Sequence, residues 1–243
     1  MMKANAVIVS AGKGHRFMEG MKKQFHLLTE KPILAHTLDK FETCPLIHSI
    51  LLVVSQEDMN FCLKEIIEKY KYRKISQVVP GGKRRQESVR NGIDALPSDV
   101  DIVAIHDGVR PFVTREMIEE SIHGATRFRA VVMAMPVKDT IKMARPDGTV
   151  LKTLERGSLW QIQTPQTFQV DLIKEAYYKA TKDGFVGTDD ASLVERLGVN
   201  VHILPGSYTN IKITTPEDLL LANLFVKINQ LAMEEPVGEA KKK

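Results

Sequence analysis

Two glycines and four lysine or arginine side chains fall within Ser10-Ala11-Gly12-Lys13-Gly14-His15-Arg16-Phe17-Met18 and the following Lys22-Lys23-Gln24. The segment comes straight after the apolar run Ala6-Val7-Ile8-Val9. Glycine admits positive φ and lets peptide N–H groups approach an anion without a Cβ in the way. Lys13, Arg16, Lys22 and Lys23 add fixed positive charge, so the chemistry on offer is polyphosphate binding. Neither common phosphate-loop pattern fits. Phe17 occupies the place of the third small residue of a dinucleotide fingerprint, and no Gly-Lys-Ser/Thr closes a Walker A loop. A short Gly-x-Gly also serves as a plain strand-to-helix turn, so this loop does not decide the function alone.

Four further clusters carry polar chemistry. Pro80-Gly81-Gly82-Lys83-Arg84-Arg85-Gln86-Glu87-Ser88 offers exposed backbone and a hydroxyl at a helix start, suited to reading the edge of a base. Standing alone, it would be a basic solvated loop. His106-Asp107-Gly108-Val109-Arg110-Pro111 puts a carboxylate after the apolar Ile102-Val103-Ala104-Ile105, placed to hold Mg²⁺ or a substrate hydroxyl. The competing reading of Asp107 and Arg110 is a local salt bridge; His106 continues the strand and reads as structural. Val137-Lys138-Asp139-Thr140-Ile141-Lys142 faces Glu155-Arg156-Gly157, where Arg156 is either a phosphate ligand or a surface charge. In Thr209-Asn210-Ile211-Lys212-Ile213-Thr214, Lys212 points away from its apolar neighbours, to solvent or into a polar cleft. No Ser-His-Asp or Cys-His arrangement supports covalent catalysis. Phosphoryl or nucleotidyl transfer needs mainly positioning and charge neutralisation, which these residues offer.

Such clusters need a scaffold, and the chain alternates strand-like with helix-like segments. Strands are predicted at Ala6–Ser10, Ser49–Val54, Ile75–Val79, Ile102–His106, Ala130–Met135 and Val201–Leu204, several apolar on successive residues as in strands covered on both faces. Ser55-Gln56-Glu57-Asp58 reads as a capping box opening a helix through Met59, Cys62, Leu63, Ile66, Ile67 and Tyr70. Further helices follow from Val89, Ile93 and Leu96, from Met117, Ile118, Ile122 and Ala125, and from Thr215-Pro216-Glu217-Asp218. The alternation predicts an α/β fold with a mostly parallel sheet and helices on both faces, and ligands gather at strand carboxyl ends in such sheets. Residues 137–158 break the rhythm as a hairpin around Pro146-Asp147-Gly148, either packed on a second subunit or folded back on its own sheet. One domain over residues 1–232 with a solvated tail over 233–243 suits the 243-residue length.

Composition excludes several classes. A net charge of +4 is too small to argue for nucleic acid, yet it suits small anionic substrates. No apolar run reaches membrane-span length and no signal-peptide core is present, so a cytoplasmic protein is expected. Cys44 and Cys62, in helical segments without metal or redox spacing, are expected to be buried, reduced thiols.

The ordered set Ala11-Gly12-x-Gly14-x-Arg16-x-Met18, Lys23-Gln24, Gly81-Gly82-x-x-Arg85-x-x-Ser88-Val89, His106-Asp107-x-x-Arg110-Pro111, Asp139-Thr140, Leu159-Trp160, Gln163-Thr164-Pro165-Gln166, Thr188-Asp189-Asp190-Ala191 and Asn210-Ile211-Lys212 resembles the 2-C-methyl-D-erythritol 4-phosphate cytidylyltransferase family. The match runs in order from Ala6 to the final helix. The resemblance implies a three-layer Rossmann-like nucleotidyltransferase fold and a Mg²⁺-dependent homodimer whose projecting β-arm interlocks with the partner. It implies the reaction of CTP with methylerythritol phosphate to give the cytidine-diphospho alcohol and pyrophosphate, in the non-mevalonate isoprenoid pathway.

The same resemblance assigns roles. Arg16 and Lys23 match transition-state stabilisers; Ala11, Gly12 and Gly14 match the nucleotide loop; Gly81, Gly82 and Ser88 match the cytosine pocket. Asp107, Arg110 and Thr140 match the methylerythritol phosphate site, with Asp107 also near the metal. Arg156, from the partner's arm, and Lys212 match residues that orient the attacking phosphate. Thr164, Asp189 and Asp190 lie in motifs that read either as shaping the pocket or as purely structural. Three departures stand out: Ser10 for a common Ala, Gly108-Val109 for an Ala pair, and Lys22 for a common Pro, which opens the register of Lys22 against Lys23.

Two rivals are ribitol 5-phosphate cytidylyltransferase, which shares most of these motifs, and a non-catalytic nucleotide-binding protein. Trp160 and the Glu155-Arg156-Gly157 context lean towards methylerythritol phosphate. An NAD-binding reading is weaker still, because no acidic residue clearly ends the second strand.

Overall fold

In a computed structural model that describes residues 2–12 and 22–234, seven strands form one sheet in the order β11-β7-β10-β6-β1-β4-β5. The strands are β1 (Ala4–Ser10), β4 (Ile47–Val54), β5 (Ile75–Pro80), β6 (Ile102–Asp107), β7 (Ala130–Pro136), β10 (Trp160–Gln169) and β11 (His202–Pro205). Two short pairs stand outside it, β2 (Leu27–Leu28) with β3 (Lys31–Pro32) and β8 (Lys142–Ala144) with β9 (Val150–Thr153). Each of the six predicted strands forms, with ends shifted by one or two residues. β1, β4, β5 and β6 run parallel, as do β7 and β11, while β10 is antiparallel to both β6 and β7.

β10 was not among the predicted strands. Pro165 argues against a central strand because it cannot donate to a ladder. The structure accommodates it with a break in register: pairing with β7 stops at Ile162 and resumes at Gln166, so residues 163–165 stand off the ladder. That offset turns Gln163 and Thr164 towards the neighbouring loops.

Alternation along the strands loads both faces with apolar side chains. Ala6, Ile8, Leu52 and Ala104 pack under α1 (Ile33–Thr43) and α4 (Arg115–Phe128). Val7, Val53, Val103 and Ile105 pack under α3 (Arg85–Asp94), α5 (Val170–Lys182) and α6 (Ala191–Glu195). A third cluster of Leu28, Ile33, Val109, Ile213 and Ala222 seats α7 (Pro216–Glu234) beside the loop after β6. Cys44, which caps the C-terminal end of α1, and Cys62 are buried free thiols, and burial lifts both above the usual thiol range, Cys62 to about 12.

Two local expectations need correction. The helix after Ser55 opens as a 3-10 turn (Gln56–Asp58), passes through α2 (Met59–Phe61) and continues as a π-helix (Cys62–Glu68). Its predicted capping box does not form: Ser55 Oγ donates to Asp58 Oδ2 at 2.6 Å and accepts from Lys22 Nζ at 3.0 Å. The hydroxyl is thus spent on an ion-pair cluster. At the other end, α7 runs to Glu234, past the boundary expected at 232; residues 235–243 of the expected tail lie outside the described residues. Among the described residues no helix is long and apolar enough to cross a membrane.

Candidate active site

A cavity of about 540 Å³ opens where β1, β4, β5 and β6 end, at the point where the sheet order turns from β4 on one side of β1 to β6 on the other. Its wall includes Ala11, Gly12 and Lys23 from the first loop, Gly81, Gly82, Arg85 and Ser88 from the second, and Asp107 and Lys212. Gly14 and Arg16, with Lys13 and Met18, lie outside the described residues.

The two glycine loops are held by different means. Gln24, 1% exposed, donates from Nε2 to the carbonyl of Ser10 at 3.0 Å and ties the first loop to the 3-10 turn Lys23–Phe25. In the second loop, the Gly81 N–H donates to the Val54 carbonyl at 2.7 Å, which holds it to the end of β4. A Cβ on Gly81 would lie 2.3 Å from Ala11 Cβ, and one on Gly82 would lie 2.4 Å from Glu87 Cβ. Only glycine fits at either position. Ser88 Oγ accepts from the Gly82 N–H at 3.0 Å and donates to the Arg84 carbonyl at 3.0 Å. Ser88 therefore shapes the loop through its hydroxyl.

The lysine register is visible in the side chains. Lys22 Nζ pairs with Glu57 and, at 2.8 Å, with Asp58. Partial burial opposes its charge, but the bonds to Asp58 and Glu57 outweigh this and raise its ammonium above the usual lysine range. Lys23 instead lines the cavity.

Asp107, 6% exposed, is the electrostatic centre. Arg85 Nε donates to its Oδ1 at 3.1 Å, Lys212 Nζ lies 2.9 Å from Oδ2, and Arg110 Nε lies 3.7 Å from the same oxygen. Burial alone would push the carboxyl upward; Arg85, Lys212 and Arg110 together hold it well below the usual carboxylate range. It stays ionised at any working pH.

Backbone contacts place these cations. The Ile213 N–H donates to the Val109 carbonyl at 2.9 Å and Ile213 is fully buried, so Lys212 turns into the cleft rather than to solvent. Asp218 Oδ2 accepts from the N–H groups of Thr214 and Thr215 at 2.8 and 2.9 Å and fixes the start of α7 behind it. Arg110 Nη1 donates to the Asn210 carbonyl at 2.7 Å, and Asn210 Nδ2 in turn donates to the Thr164 carbonyl at 2.9 Å. The irregular part of β10 thereby braces the cation cluster.

His106 is buried beneath this cluster. Thr164 Oγ accepts from the Asp107 N–H at 3.2 Å and lies 3.0 Å from His106 Nδ1, while Nε2 lies 3.2 Å from the Arg110 carbonyl. A carbonyl can only accept, so Nε2 carries the hydrogen and Nδ1 accepts from Thr164. Burial lowers the ring's pKa to about 3, and the imidazole is neutral. It braces Asp107 and Arg110 from below, a structural part as expected.

Thr140 and Arg156 are not brought to the cavity within one chain. Both are exposed at the base of the β8–β9 hairpin, where Arg156 Nη1 donates to the Lys138 carbonyl at 2.8 Å. The sequence motifs named Arg85, Gln163 and Gln24 without a task. Arg85 and Gln163 find their partners 105 and 44 residues away, at Asp190 and Ser207, and no local pattern announces such pairs. Among the described residues no three His, Cys, Asp or Glu side chains cluster as a metal site.

The model of the IspD family, 2-C-methyl-D-erythritol 4-phosphate cytidylyltransferase, matches residues 4–228. The chain belongs to this family. The 2-C-methyl-D-erythritol 4-phosphate cytidylyltransferase of Syntrophus aciditrophicus is 48% identical over 225 residues, covering 93% of this chain and 96% of that protein. The protein of the same name from Caldanaerobacter subterraneus is 45% identical over 226 residues, covering 93% and 100%. Among solved structures, the 4-diphosphocytidyl-2C-methyl-D-erythritol synthase of Anaerococcus prevotii superposes with a TM-score of 0.83 at 33% identity, covering 93% of this chain and 99% of that one. Family membership makes the protein an enzyme, a cytidylyltransferase of the non-mevalonate isoprenoid route. The ribitol phosphate alternative is not favoured.

Proposed function

We propose that the cavity binds CTP between the two glycine loops and brings its α-phosphate to the phosphate of methylerythritol phosphate held over Asp107, Arg110 and Lys212. The observation that carries this reading is the shared wall: Gly12, Lys23, Gly81, Gly82, Asp107 and Lys212 all face one space of about 540 Å³. A phosphate-monoester oxygen of the alcohol attacks the α-phosphorus, the bond to the β-phosphate bridge oxygen breaks, and pyrophosphate leaves. The attacking phosphate is already ionised near neutral pH, so no general base is required. Lys23, with Arg16 from the same segment, offsets charge growing on the α-phosphate and pyrophosphate. Lys212 and Arg110 hold the nucleophile in line. Ser88 and Glu87 fix the glycine loop through its N–H groups, so that its backbone presents one shape to the small pyrimidine.

The donor set suits Mg²⁺ only with CTP in place. Asp107 is one ionised carboxylate at the cavity wall, and Mg²⁺ is ordinarily held by one or two carboxylates together with substrate phosphates and water. When bound there, the ion would neutralise triphosphate charge.

The exposed hairpin supports a homodimer. Met143, Val150 and Leu151 are 41%, 55% and 48% exposed on it, and Thr140 and Arg156 sit at its base away from their own cavity. A second copy would bury that surface and bring Thr140 and Arg156 to the partner's alcohol phosphate. Purified enzyme given CTP with either methylerythritol phosphate or ribitol 5-phosphate tests the substrate assignment. Pyrophosphate release with methylerythritol phosphate is expected; turnover of ribitol phosphate alone would overturn it.

A further inference from the structure

Arg85 has no part in the proposed reaction, yet its guanidinium is held by two carboxylates, Asp107 and Asp190. Its Nη1 and Nη2 donate to Asp190 Oδ1 and Oδ2 at 3.0 and 2.8 Å, a two-pronged pairing with a side chain only 1% exposed. Asp190 is itself fixed from two elements. Tyr177 Oη on α5 donates to its Oδ1 at 2.6 Å, and Gln166 Oε1 on β10 accepts from the N–H groups of Asp190 and Ala191 at 3.1 and 3.0 Å. Asp190 does not line the cavity. The Nε of Arg85 donates to the carboxylate that does, Asp107.

We propose that Arg85 is a positioning residue for the transfer reaction: Asp190 locks its guanidinium, and the locked guanidinium fixes the rotation of the Asp107 carboxylate. With Oδ1 held by Arg85, Oδ2 is turned to Lys212 and Arg110, so one contact orders three groups of the site. The planar fork explains why arginine stands here. A lysine ammonium cannot serve two oxygens of one carboxylate and one of another in a fixed plane. The proposal rests on the reading that Asp107 serves the alcohol phosphate, and its test separates the two.

The test uses Arg85→Lys, Tyr177→Phe and Asp107→Asn, with steady-state kinetics for each substrate and CTP affinity by calorimetry. Arg85→Lys is expected to lower kcat/KM for methylerythritol phosphate by about tenfold or more, the size of effect that orienting groups behind a ligand produce. CTP affinity should stay within about twofold of the parent, a modest margin on the scale of neighbouring-site coupling. Tyr177→Phe, which removes one hydroxyl and is the variant to use if Arg85→Lys fails to fold, should shift the same parameter in the same direction by less. In an Asp107→Asn background the Arg85→Lys loss should vanish, because Arg85 acts through Asp107. Undiminished loss in that background, or equal losses towards both substrates that track the melting temperature, would overturn the proposal. If Asp107→Asn impairs use of the alcohol phosphate while Arg85→Lys and Tyr177→Phe do not, the proposal falls alone. If Asp107→Asn leaves that use untouched, the reading of Asp107 falls and takes the proposal with it.

Discussion

Lowering the pH should destabilise this fold chiefly through His106, before Asp107 is protonated. The ring is fully buried and packed 5.0 Å, centroid to centroid, from Phe41, and its pKa is lowered from 6.5 to about 3. A histidine neutral in the fold and protonated in the unfolded chain stabilises fully above the unfolded value. That stability is lost as pH falls through 6.5 towards 3. At pH 5 the separation is about 1.5 pH units, worth about 2 kcal/mol at 1.36 kcal/mol per unit. Asp107 acts in a different window: its lowered pKa adds stability that is lost only below its unfolded value of 3.8. His36, also lowered mainly by burial, adds a slope of the same sign. Urea unfolding at fixed protein concentration between pH 7.5 and 4.5 should therefore show falling stability with acid. His106→Gln offers an acceptor and a donor without titrating and should flatten the curve by about 2 kcal/mol at pH 5 relative to the parent. Parallel curves for parent and variant would refute the assignment of a neutral, buried imidazole.

Three other outcomes follow from the same geometry. Thr164→Val should cost roughly 2–4 kcal/mol in unfolding free energy, because it strands the Asp107 N–H and His106 Nδ1 in a buried setting; a loss below about 0.5 kcal/mol, the range of an ordinary surface change, would count against the network. Gly81→Ala forces a Cβ to 2.3 Å from Ala11 Cβ, so stability should fall by about 1–3 kcal/mol and the KM for CTP should rise as the two loops part. An unchanged KM would detach the loop from the nucleotide. Mixing inactive Lys23→Ala and Arg156→Ala proteins under subunit exchange should restore roughly a quarter of parental activity, since half the dimers are mixed and each holds one intact shared site. No recovery, with exchange verified, would place Arg156 in its own chain's site or in none.

The sheet was readable because buried parallel strands carry apolar residues on both faces, as Ala4–Ser10 and Ile102–Asp107 do. β10 was not, since Pro165 and its glutamines look like a loop until the register break is seen. Those glutamines are buried because they serve as backbone surrogates: Gln163 Nε2 donates to the Ser207 carbonyl while its Oε1 accepts from the Ser207 N–H, and Gln166 holds the Asp190 turn. The ordered motifs marked the residues of the cavity wall, and alternation correctly turned Lys212 from its apolar neighbours without saying where it went. The contact with Asp107 depends on Ile213 meeting Val109, a tertiary event. The choice between Lys22 and Lys23 likewise depends on Glu57 and Asp58, more than thirty residues away along the chain.

The central claim is that this cavity is where the phosphorus–oxygen bond breaks, and Lys23 is its most direct probe. Pyrophosphate release from Lys23→Ala under saturating substrates should fall by about 10²–10³, the loss typical of one charge-stabilising donor, while CTP still binds. Lys22→Ala, which removes a cation held by Glu57 and Asp58, should retain most of the parental rate. Parental turnover by Lys23→Ala would contradict the account.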